Sequence, residues 1–414
     1  MPELTDRRAL LQRLLALGVV AAGSPHSLAR DTSAPDLAQA QAPPRAEASH
    51  PSDLHVAATE RFWSSLPKQT WFEVPATRMD SLVPRLPQGF IDLGAEGFSA
   101  VTADWSGAAF DADSGRLWCS GGGHVGSNNN GVYEFALETL SWRIAMSPSL
   151  YTRSDLDTSR TAWNTTTKKW IAFSQGYAVD TDEWRDGKPT AVHTYGDIAW
   201  LPSIRRIYRS GLLSNWLIDP VSGLPERCGK TDWTPGTTAF YDAARRRLIR
   251  GGAFNYDYWQ CRVFDEVARG QTMERPHLDL RPQSAFFWSG ALSADVIGNK
   301  AFCYSGGSHR AWTIALDTWL QAEVVLDQPL AVAPYTGGTY CESLGALAML
   351  RPDGNLATID PQSGRCSTLT IEGHPPPATS SLRNGIYGRW RWYARRKCFV
   401  LIPSTSDNVR LIRI

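Results

Sequence analysis

The chain has 414 residues, a length that allows one large domain or two ordinary domains with a substantial core. Its 42 Lys and Arg residues are balanced by 41 Asp and Glu residues, so the composition gives no sign of a surface for nucleic acid. Glycine (34), proline (26) and tryptophan (17) are abundant. This composition, with no long helical period after the first thirty residues, favours many short strands joined by tight turns and therefore an all-β fold.

The N-terminal stretch, residues 1–29, has the features of an export signal peptide. The Arg7-Arg8 pair precedes an apolar run from Leu14 to Ala22, and Ser27-Leu28-Ala29 offers small residues for cleavage. The run is too short to span a bilayer permanently. The Arg pair resembles a twin-arginine export signal, with an ordinary secretory signal as the alternative. We therefore expect a periplasmic or secreted protein with no integral membrane segment in its mature form.

Residues 30–58 are rich in Ala, Pro, Ser and Gln and show no apolar period, which predicts a disordered linker. The remaining residues, 59–414, are predicted to form one repetitive domain. From about residue 105 a strand, a turn and a second, buried strand ending in small residues recur along the chain, first as Ala108-Ala109-Phe110-Asp111 followed by Arg116 to Gly122. Further copies open near residues 161, 198, 238, 291, 344 and 391.

Spacing of this kind, roughly 40–50 residues with four short strands in each unit, is typical of a β-propeller. Seven copies predict a seven-bladed β-propeller. The step from Thr161 to Ile198 is short, so six blades is the alternative if the second copy is an insertion. The last copy ends at Val409–Ile414 as a third strand with no fourth behind it. We expect residues 70–75, which contain Trp71-Phe72, to supply that strand and close the ring.

The glycine pair of the first copy carries a family resemblance. Gly121-Gly122, Tyr133 in the next strand and Trp142 after it resemble the kelch repeat. Similar pieces recur as Gly306-Gly307, with Trp312 and Trp319. The chain thus resembles the kelch and galactose-oxidase-type propeller superfamily, which implies the fold and leaves the function open because propellers host many functions.

Propeller topology puts two kinds of connection on the same face of the ring: the entry to the first strand of each blade, and the loop between its second and third strands. Residues at these positions are candidates for one central mouth. The candidates for acid–base work are His124, His193, Tyr195 and Tyr258. The candidates for substrate binding are Arg160, Asn128, Asn255, His309, Arg310, Arg383 and Arg389. Asn129, Asn130, Tyr340, Asn384 and Tyr387 share these positions. The alternative for each residue is a polar cap that holds strands and water.

Three classes of function remain open for such a mouth. The first is cleavage of an acidic polysaccharide by β-elimination, because the pool of His, Tyr and Arg resembles that of propeller-type polysaccharide lyases; His or Tyr would move protons and Arg would hold the carboxylate. The second is a non-catalytic propeller that binds a glycan or a protein. The third is a copper radical oxidase of the galactose-oxidase kind, although the adjacent Tyr-His ligand pair of that family is missing.

The expected partner is a carbohydrate or an acidic small ligand, and the expected state is a monomer. No cofactor is predicted, and a divalent metal is left open. The seven cysteines show no metal-binding spacing, and Cys228–Cys261 or Cys341–Cys366 disulfides are compatible with export.

Overall fold

The computed structural model describes one compact unit, Ser52–Ile414, over most of its length. The residues that it describes are 53–85, 97–122, 127, 129–150, 161–164, 169–172, 183–184, 186–211, 214–230, 238–252, 260–268, 272–274, 292–305, 309–332, 336–377 and 384–414. Within these ranges, no helix combines the length and the apolar character needed to cross a membrane.

The described residues form a six-bladed β-propeller, in which each blade is an antiparallel sheet of four strands. Blades 1 to 3 comprise β2 (Ala108–Asp111), β3 (Arg116–Cys119), β4 (Val132–Ala136) and β5 (Ser141–Met146); β8 (Ile198–Leu201), β9 (Arg206–Ser210), β10 (Ser214–Ile218) and β11 (Pro225–Lys230); and β12 (Thr238–Asp242), β13 (Arg247–Gly252), β14 (Gln260–Asp265) and β15 (Thr272–Glu274). Blades 4 to 6 comprise β16 (Leu292–Ile297), β17 (Lys300–Ser305), β18 (Arg310–Ala315) and β19 (Gln321–Val324); β20 (Gly338–Cys341), β21 (Ala346–Leu350), β22 (Leu356–Ile359) and β23 (Cys366–Leu369); and β24 (Trp390–Tyr393), β25 (Cys398–Leu401), β26 (Arg410–Arg413) and β1 (Trp71–Glu73).

Each pair of neighbouring blades encloses its own apolar core, and six such cores follow the ring. Both faces of a blade are therefore covered, which explains why a strand such as β3 is a run of buried side chains rather than an alternating one. Between blades 1 and 2, the rings of Trp118 and Trp200 stack with centroids 4.8 Å apart.

The second sequence copy does not form a blade. Its residues make a two-stranded hairpin of β6 (Thr161–Asn164) and β7 (Lys169–Ala172). Blade 1 packs directly on blade 2 through the core that contains Trp118 and Ile207, so the hairpin lies outside the sequence of blades. The main prediction of seven blades is therefore wrong, and the alternative of six, with the second copy as an insertion, is confirmed.

The sixth sequence copy is displaced by one strand in the structure. Its first strand is β20 (Gly338–Cys341), and the apolar stretch after Leu344 contains the second strand, β21. The innermost strand of this blade (Gly-Thr-Tyr-Cys) contains no aliphatic side chain, so its apolar pattern is weaker than that of the strand behind it (Ala-Leu-Ala-Met-Leu).

The ring is closed by the N-terminal strand, as predicted. β1 pairs antiparallel with β26, with Trp71 opposite Ile412 and Glu73 opposite Arg410. The Trp71 indole is buried and donates a hydrogen bond to the Gly354 carbonyl of blade 5 at 2.9 Å. The fourth strand of blade 6 thus comes from the opposite end of the chain, and it pairs with the edge of the third strand, β26, that would otherwise be exposed.

A helix that the sequence analysis did not predict precedes this strand. α1 (Asp53–Ser65) begins inside the stretch expected to be a linker, and its Trp63 is buried against Tyr393 of blade 6, with ring centroids 6.4 Å apart. Arg396 forms ion pairs with Glu60 of the helix and with Glu138 of blade 1. The helix therefore fastens the junction between the last blade and the first.

Six of the seven cysteines lie in the described part of the chain as buried free thiols: Cys119, Cys228, Cys303, Cys341, Cys366 and Cys398. Neither disulfide considered from the sequence is formed, since Cys228, Cys341 and Cys366 are all free. Burial raises the pKa of the Cys119 thiol to about 12, which makes it a poor nucleophile.

Candidate functional site

The innermost strands begin in backbone contact with one another around the axis of the ring. A Cβ atom added at Gly107 would lie 2.0 Å from the Tyr195 carbonyl oxygen, and one at Gly337 would lie 2.1 Å from the Tyr387 carbonyl oxygen. Gly388 approaches the Ala108 carbonyl oxygen in the same way, at 2.0 Å. Only glycine allows these approaches. They bring the residues that enter blades 1, 2 and 6 together at one end of the axis.

Four aromatic side chains form a row at this end, which we call the axial aromatic cluster: Trp105, His193, Tyr195 and Tyr387. Ring centroids are 5.0 Å apart for Trp105 and His193, 5.7 Å for His193 and Tyr195, and 5.8 Å for Tyr195 and Tyr387. Nδ1 of His193 lies 3.4 Å from the Tyr195 hydroxyl oxygen. Trp105 is half-buried, whereas the other three side chains are 6–7% exposed. The indole is therefore the member most accessible to a ligand.

Three residues of the cluster have an unusual backbone conformation. Trp105, Tyr195 and Tyr387 all have left-handed φ angles, of +47°, +46° and +46°. Large side chains adopt this conformation at a cost of order 1–3 kcal/mol, and it persists where the surroundings fix it. Eight other described non-glycine residues, Trp319 among them, have left-handed φ angles, and what distinguishes the cluster is that three such aromatic residues lie together.

Hydrogen bonds across the blades hold this backbone in place. The Tyr195 N–H donates to the Trp105 carbonyl oxygen at 2.7 Å. The Thr194 hydroxyl accepts from the Gly107 N–H at 3.0 Å and donates to the Ser120 carbonyl oxygen at 2.7 Å. Blade 1 and the entry to blade 2 are thus fixed to each other at the cluster.

Blade 6 is tied to the same place by Asn384 and Tyr387. The Asn384 amide donates to the Ala103 carbonyl oxygen, in the short helix α2 (Ala100–Ala103), at 2.7 Å. The Tyr387 hydroxyl donates to the Asn384 carbonyl oxygen at 3.3 Å. The sequence prediction placed both residues at the mouth, and the structure puts Tyr387 in the cluster.

A buried ion pair supports the entry to blade 2 from the other side. Asp197, two residues after Tyr195, accepts two hydrogen bonds from the Arg250 guanidinium of blade 3, one of them from Nε at 2.7 Å. Burial alone would lower the pKa of Arg250, but the Asp197 carboxylate outweighs it and raises that pKa. This pair fixes the backbone behind the cluster and is enclosed by protein.

Arg389, predicted to bind a substrate carboxylate, is enclosed by protein instead. Its guanidinium donates to the carbonyl oxygens of Ser106, Gly385, Ile402 and Pro403, and the side chain has no exposed surface. Burial lowers its pKa to about 10. Arg389 joins blade 6 to blade 1, and the site that we propose below does not contain it.

Two further candidates lie in blade 4 with partners of their own. His309 is exposed, and its Nδ1 lies 3.1 Å from the Tyr304 hydroxyl oxygen. Arg310 forms a two-pronged ion pair with Glu323 and lies over the Trp312 ring. No contact between these two residues and the axial aromatic cluster is present among the described residues.

The remaining sequence candidates lie outside the described residues: His124, Asn128, Arg160, Asn255, Tyr258 and Arg383. Of the residues predicted at the mouth, the structure therefore brings together His193, Tyr195 and Tyr387. Trp105 is not among the residues predicted from the sequence. Its signal is a glycine two residues later, at the entry to the innermost strand, which recurs in the sequence as Gly107, Gly196, Gly236, Gly290, Gly337 and Gly388.

Within the described ranges, no group of three or more His, Cys, Asp or Glu side chains is arranged to hold a metal ion. The chemistry that this part of the chain offers at the axis is therefore that of aromatic faces, one imidazole, phenol hydroxyls and buried guanidinium groups.

The fold and this site define the protein as a β-propeller with an aromatic site at one end of its axis. No family model and no curated protein matches the chain. Solved structures that resemble it include a chain of a nidogen–laminin complex, with 14% identity, a TM-score of 0.39 and coverage of 64% of this chain and 79% of that one. A chain of a mitotic checkpoint complex has 10% identity, a TM-score of 0.43 and coverage of 84% and 96%. A protein of unknown function from Bacteroides thetaiotaomicron has 11% identity, a TM-score of 0.42 and coverage of 79% and 72%. At these values we draw nothing about function from them.

Proposed function

We propose that this propeller binds a carbohydrate at the axial aromatic cluster. The observation that supports this most is the row of Trp105, His193, Tyr195 and Tyr387, in which three residues keep a strained left-handed backbone. A half-buried indole offers a flat apolar surface for the face of a sugar ring, and the imidazole and phenol groups beside it offer hydrogen bonds to hydroxyl groups. Strain of this kind is concentrated at binding and catalytic sites.

The binding experiment uses a panel of neutral and acidic oligosaccharides and the purified full chain. We expect Trp105→Ala to weaken binding of the recognised sugar by tenfold or more, because the stacking surface is lost. Trp319→Ala is the matched control, since Trp319 is a half-buried tryptophan in the turn between β18 and β19 on the opposite face. Equal binding by both variants and the parent chain would contradict the proposed site.

A second candidate function is cleavage of a uronate-containing polysaccharide by β-elimination, and the His193–Tyr195 pair favours it. In this reaction a base removes the proton from the carbon that bears the carboxylate. The electron pair forms a carbon–carbon double bond as the bond to the leaving oxygen breaks, and an acid protonates that oxygen. A His and a Tyr with Nδ1 and Oη 3.4 Å apart are placed to share these two roles.

The lyase candidate is tested by the ultraviolet absorbance of the unsaturated product on a panel of uronic-acid polysaccharides. We expect His193→Ala and Tyr195→Phe each to lower the rate by about 100-fold or more, the usual contribution of acid–base catalysis. If no substrate yields an unsaturated product, the non-catalytic binding function remains.

We also propose that the protein is exported and that it is related to kelch-type propellers. The export proposal relies on the Arg7-Arg8 motif and the apolar run after it. The kelch proposal is supported by three positions: Gly121-Gly122 follow β3, the buried Tyr133 lies in β4, and Trp142 lies in β5. Fractionation of the producing cells, with Arg7-Arg8→Lys-Lys as the variant, tests the export route.

A further inference from the structure

We propose that Arg391 is the carboxylate-binding residue of the axial site and that the sugar it selects is a uronate. This inference rests on the proposed carbohydrate function and names the class of its ligand. It assigns to Arg391 the role that the sequence suggested for Arg389, two positions earlier in blade 6, and for Arg310 of blade 4.

Arg391 contacts the backbone beside Tyr387 of the cluster. It lies on β24, the innermost strand of blade 6, and its side chain folds back along that strand so that Nε donates to the Gly388 carbonyl oxygen at 3.2 Å. A Cβ atom added at Gly388 would lie 2.9 Å from Nη2 of Arg391. Gly388 directly follows Tyr387, so the guanidinium lies against the residue next to this member of the axial aromatic cluster.

The guanidinium is available to a ligand. Among the residues that the structure describes, Nη1 and Nη2 of Arg391 have no hydrogen-bond partner and no carboxylate within ion-pair distance, and the side chain keeps accessible surface. Three other arginines among the described residues are occupied. Arg389 donates to four carbonyl oxygens, Arg250 is held by Asp197, and Arg310 is paired on the rim.

One opposite charge acts on Arg391 from another blade. Asp295 of β16 interacts electrostatically with Arg391, although the two residues belong to blades 4 and 6. The Asp295 oxygens accept hydrogen bonds from the N–H groups of Val296 and Tyr340 at 2.8 Å and from the Thr339 hydroxyl at 3.4 Å. Asp295 is thus engaged elsewhere and leaves the guanidinium fork open.

Partial burial strengthens the attraction of this open fork for an anion. Both side chains are half-buried, and desolvation lowers the pKa of Arg391 and raises that of Asp295. A carboxylate supplied by a ligand can accept two parallel N–H bonds from Nη1 and Nη2, and such charge-assisted bonds gain strength where water is scarce. Asp295 opposes the same anion at longer range, so its neutralisation should favour binding.

The experiment measures binding of uronate oligosaccharides and of their methyl esters by calorimetry, on the full chain. Oligomers of galacturonate, glucuronate and mannuronate are each compared with the esterified form, which keeps the sugar and removes the charge. We expect the acid to bind about 10–100 times more tightly than its ester. We expect Arg391→Gln to abolish that preference and Asp295→Asn to increase it. Arg310→Gln, a change to a paired arginine on the rim, should leave it unchanged.

The possible results distinguish failure of the role of Arg391 from failure of carbohydrate binding itself. Equal binding of acid and ester by the parent chain, or an undiminished preference in Arg391→Gln, overturns the role of Arg391 while carbohydrate binding stands. Failure of every acid, ester and neutral oligosaccharide to bind overturns the proposed function itself. The acid–ester comparison needs no variant, so the inference can be tested even if Arg391→Gln fails to fold. Arg391→Lys, which keeps the charge and loses the fork, should retain part of the preference.

Discussion

The buried ion pair between Asp197 and Arg250 gives a prediction whose size follows from the structure. Both side chains are 3% exposed, and they join blade 2 to blade 3 directly behind Tyr195. Asp197→Asn removes the negative charge and leaves the Arg250 guanidinium buried without compensation. Nη1 of Arg250 already has no hydrogen-bond partner among the described residues. Breaking a buried pair from one side costs about 3–5 kcal/mol.

The corresponding change in melting temperature can be worked out from the size of the unit. Ser52–Ile414 comprises about 360 residues, and an unfolding entropy of about 2.1 cal/mol/K per residue gives about 0.76 kcal/mol per degree. A loss of about 3–5 kcal/mol should therefore lower the melting temperature by about 4–7 °C. Differential scanning calorimetry of the parent chain and the variant measures this shift.

The matched control is Glu323→Gln, which breaks the two-pronged pair with Arg310. These side chains are 46% and 40% exposed, so the pair should contribute at most about 1 kcal/mol, a shift of about 1 °C. The double variant Asp197→Asn, Arg250→Gln should recover part of the loss, because no buried charge remains. Equal shifts for Asp197→Asn and Glu323→Gln would refute the reasoning that burial sets the cost.

Three further predictions concern the ring and its fastening. Trp71→Ala should lower the free energy of unfolding by about 3–5 kcal/mol in denaturant titration, because it empties a buried site in the closing strand. Gly107→Ala should destabilise the chain and abolish sugar binding, because its Cβ would lie 2.0 Å from the Tyr195 carbonyl oxygen. Burial opposes ionisation of the Glu138 carboxyl, but Arg396 outweighs it and lowers the pKa of that carboxyl below its ordinary value. The ionised Glu138 therefore stabilises the fold above its unfolded-state pKa, and this stabilisation is lost as pH falls through the folded-state pKa.

Each of these predictions has its own control. Trp71→Phe keeps most of the apolar volume and should cost clearly less than alanine. Gly298→Ala meets no atom within 4 Å at φ +60°, so it should cost only the 1–2 kcal/mol or so of a left-handed alanine. Glu138→Gln should flatten the acid side of the stability profile relative to the parent chain, and an unchanged profile would argue against the ion pair with Arg396.

The blades and the closure of the ring could be predicted from the sequence because they depend on local patterns. Strands such as β3 and β13 are short apolar runs next to small residues, and Trp71-Phe72 has the form of a missing fourth strand. The number of blades could not be predicted in this way, since a hairpin such as β6–β7 shows the same pattern of strand, turn and strand. In the sequence, a glycine precedes the innermost strand of each blade, and at Gly107, Gly337 and Gly388 the neighbouring backbone approaches it closely. Thr161 is preceded by Ser159-Arg160, with no such glycine.

Site residues could be predicted from the sequence where strand order alone sets their position in the ring. They could not be predicted where packing decides which way a side chain points. His193 and Tyr195 enter blade 2 at the mouth-facing end, so their place follows from the order of strands. Arg389 and Arg391 both lie at the entry of blade 6, and sequence cannot distinguish them. Arg389 is enclosed by carbonyl oxygens of blades 6 and 1, whereas Arg391 folds back along its strand to the Gly388 carbonyl oxygen.

The central claim is that the axial aromatic cluster binds a carbohydrate, and calorimetric titration of the parent chain and Trp105→Ala with the oligosaccharide panel tests it most directly. The claim predicts saturable binding of at least one oligosaccharide that Trp105→Ala weakens by tenfold or more and Trp319→Ala leaves unchanged. Binding that is insensitive to Trp105, or absent across the panel in a folded protein, would contradict it.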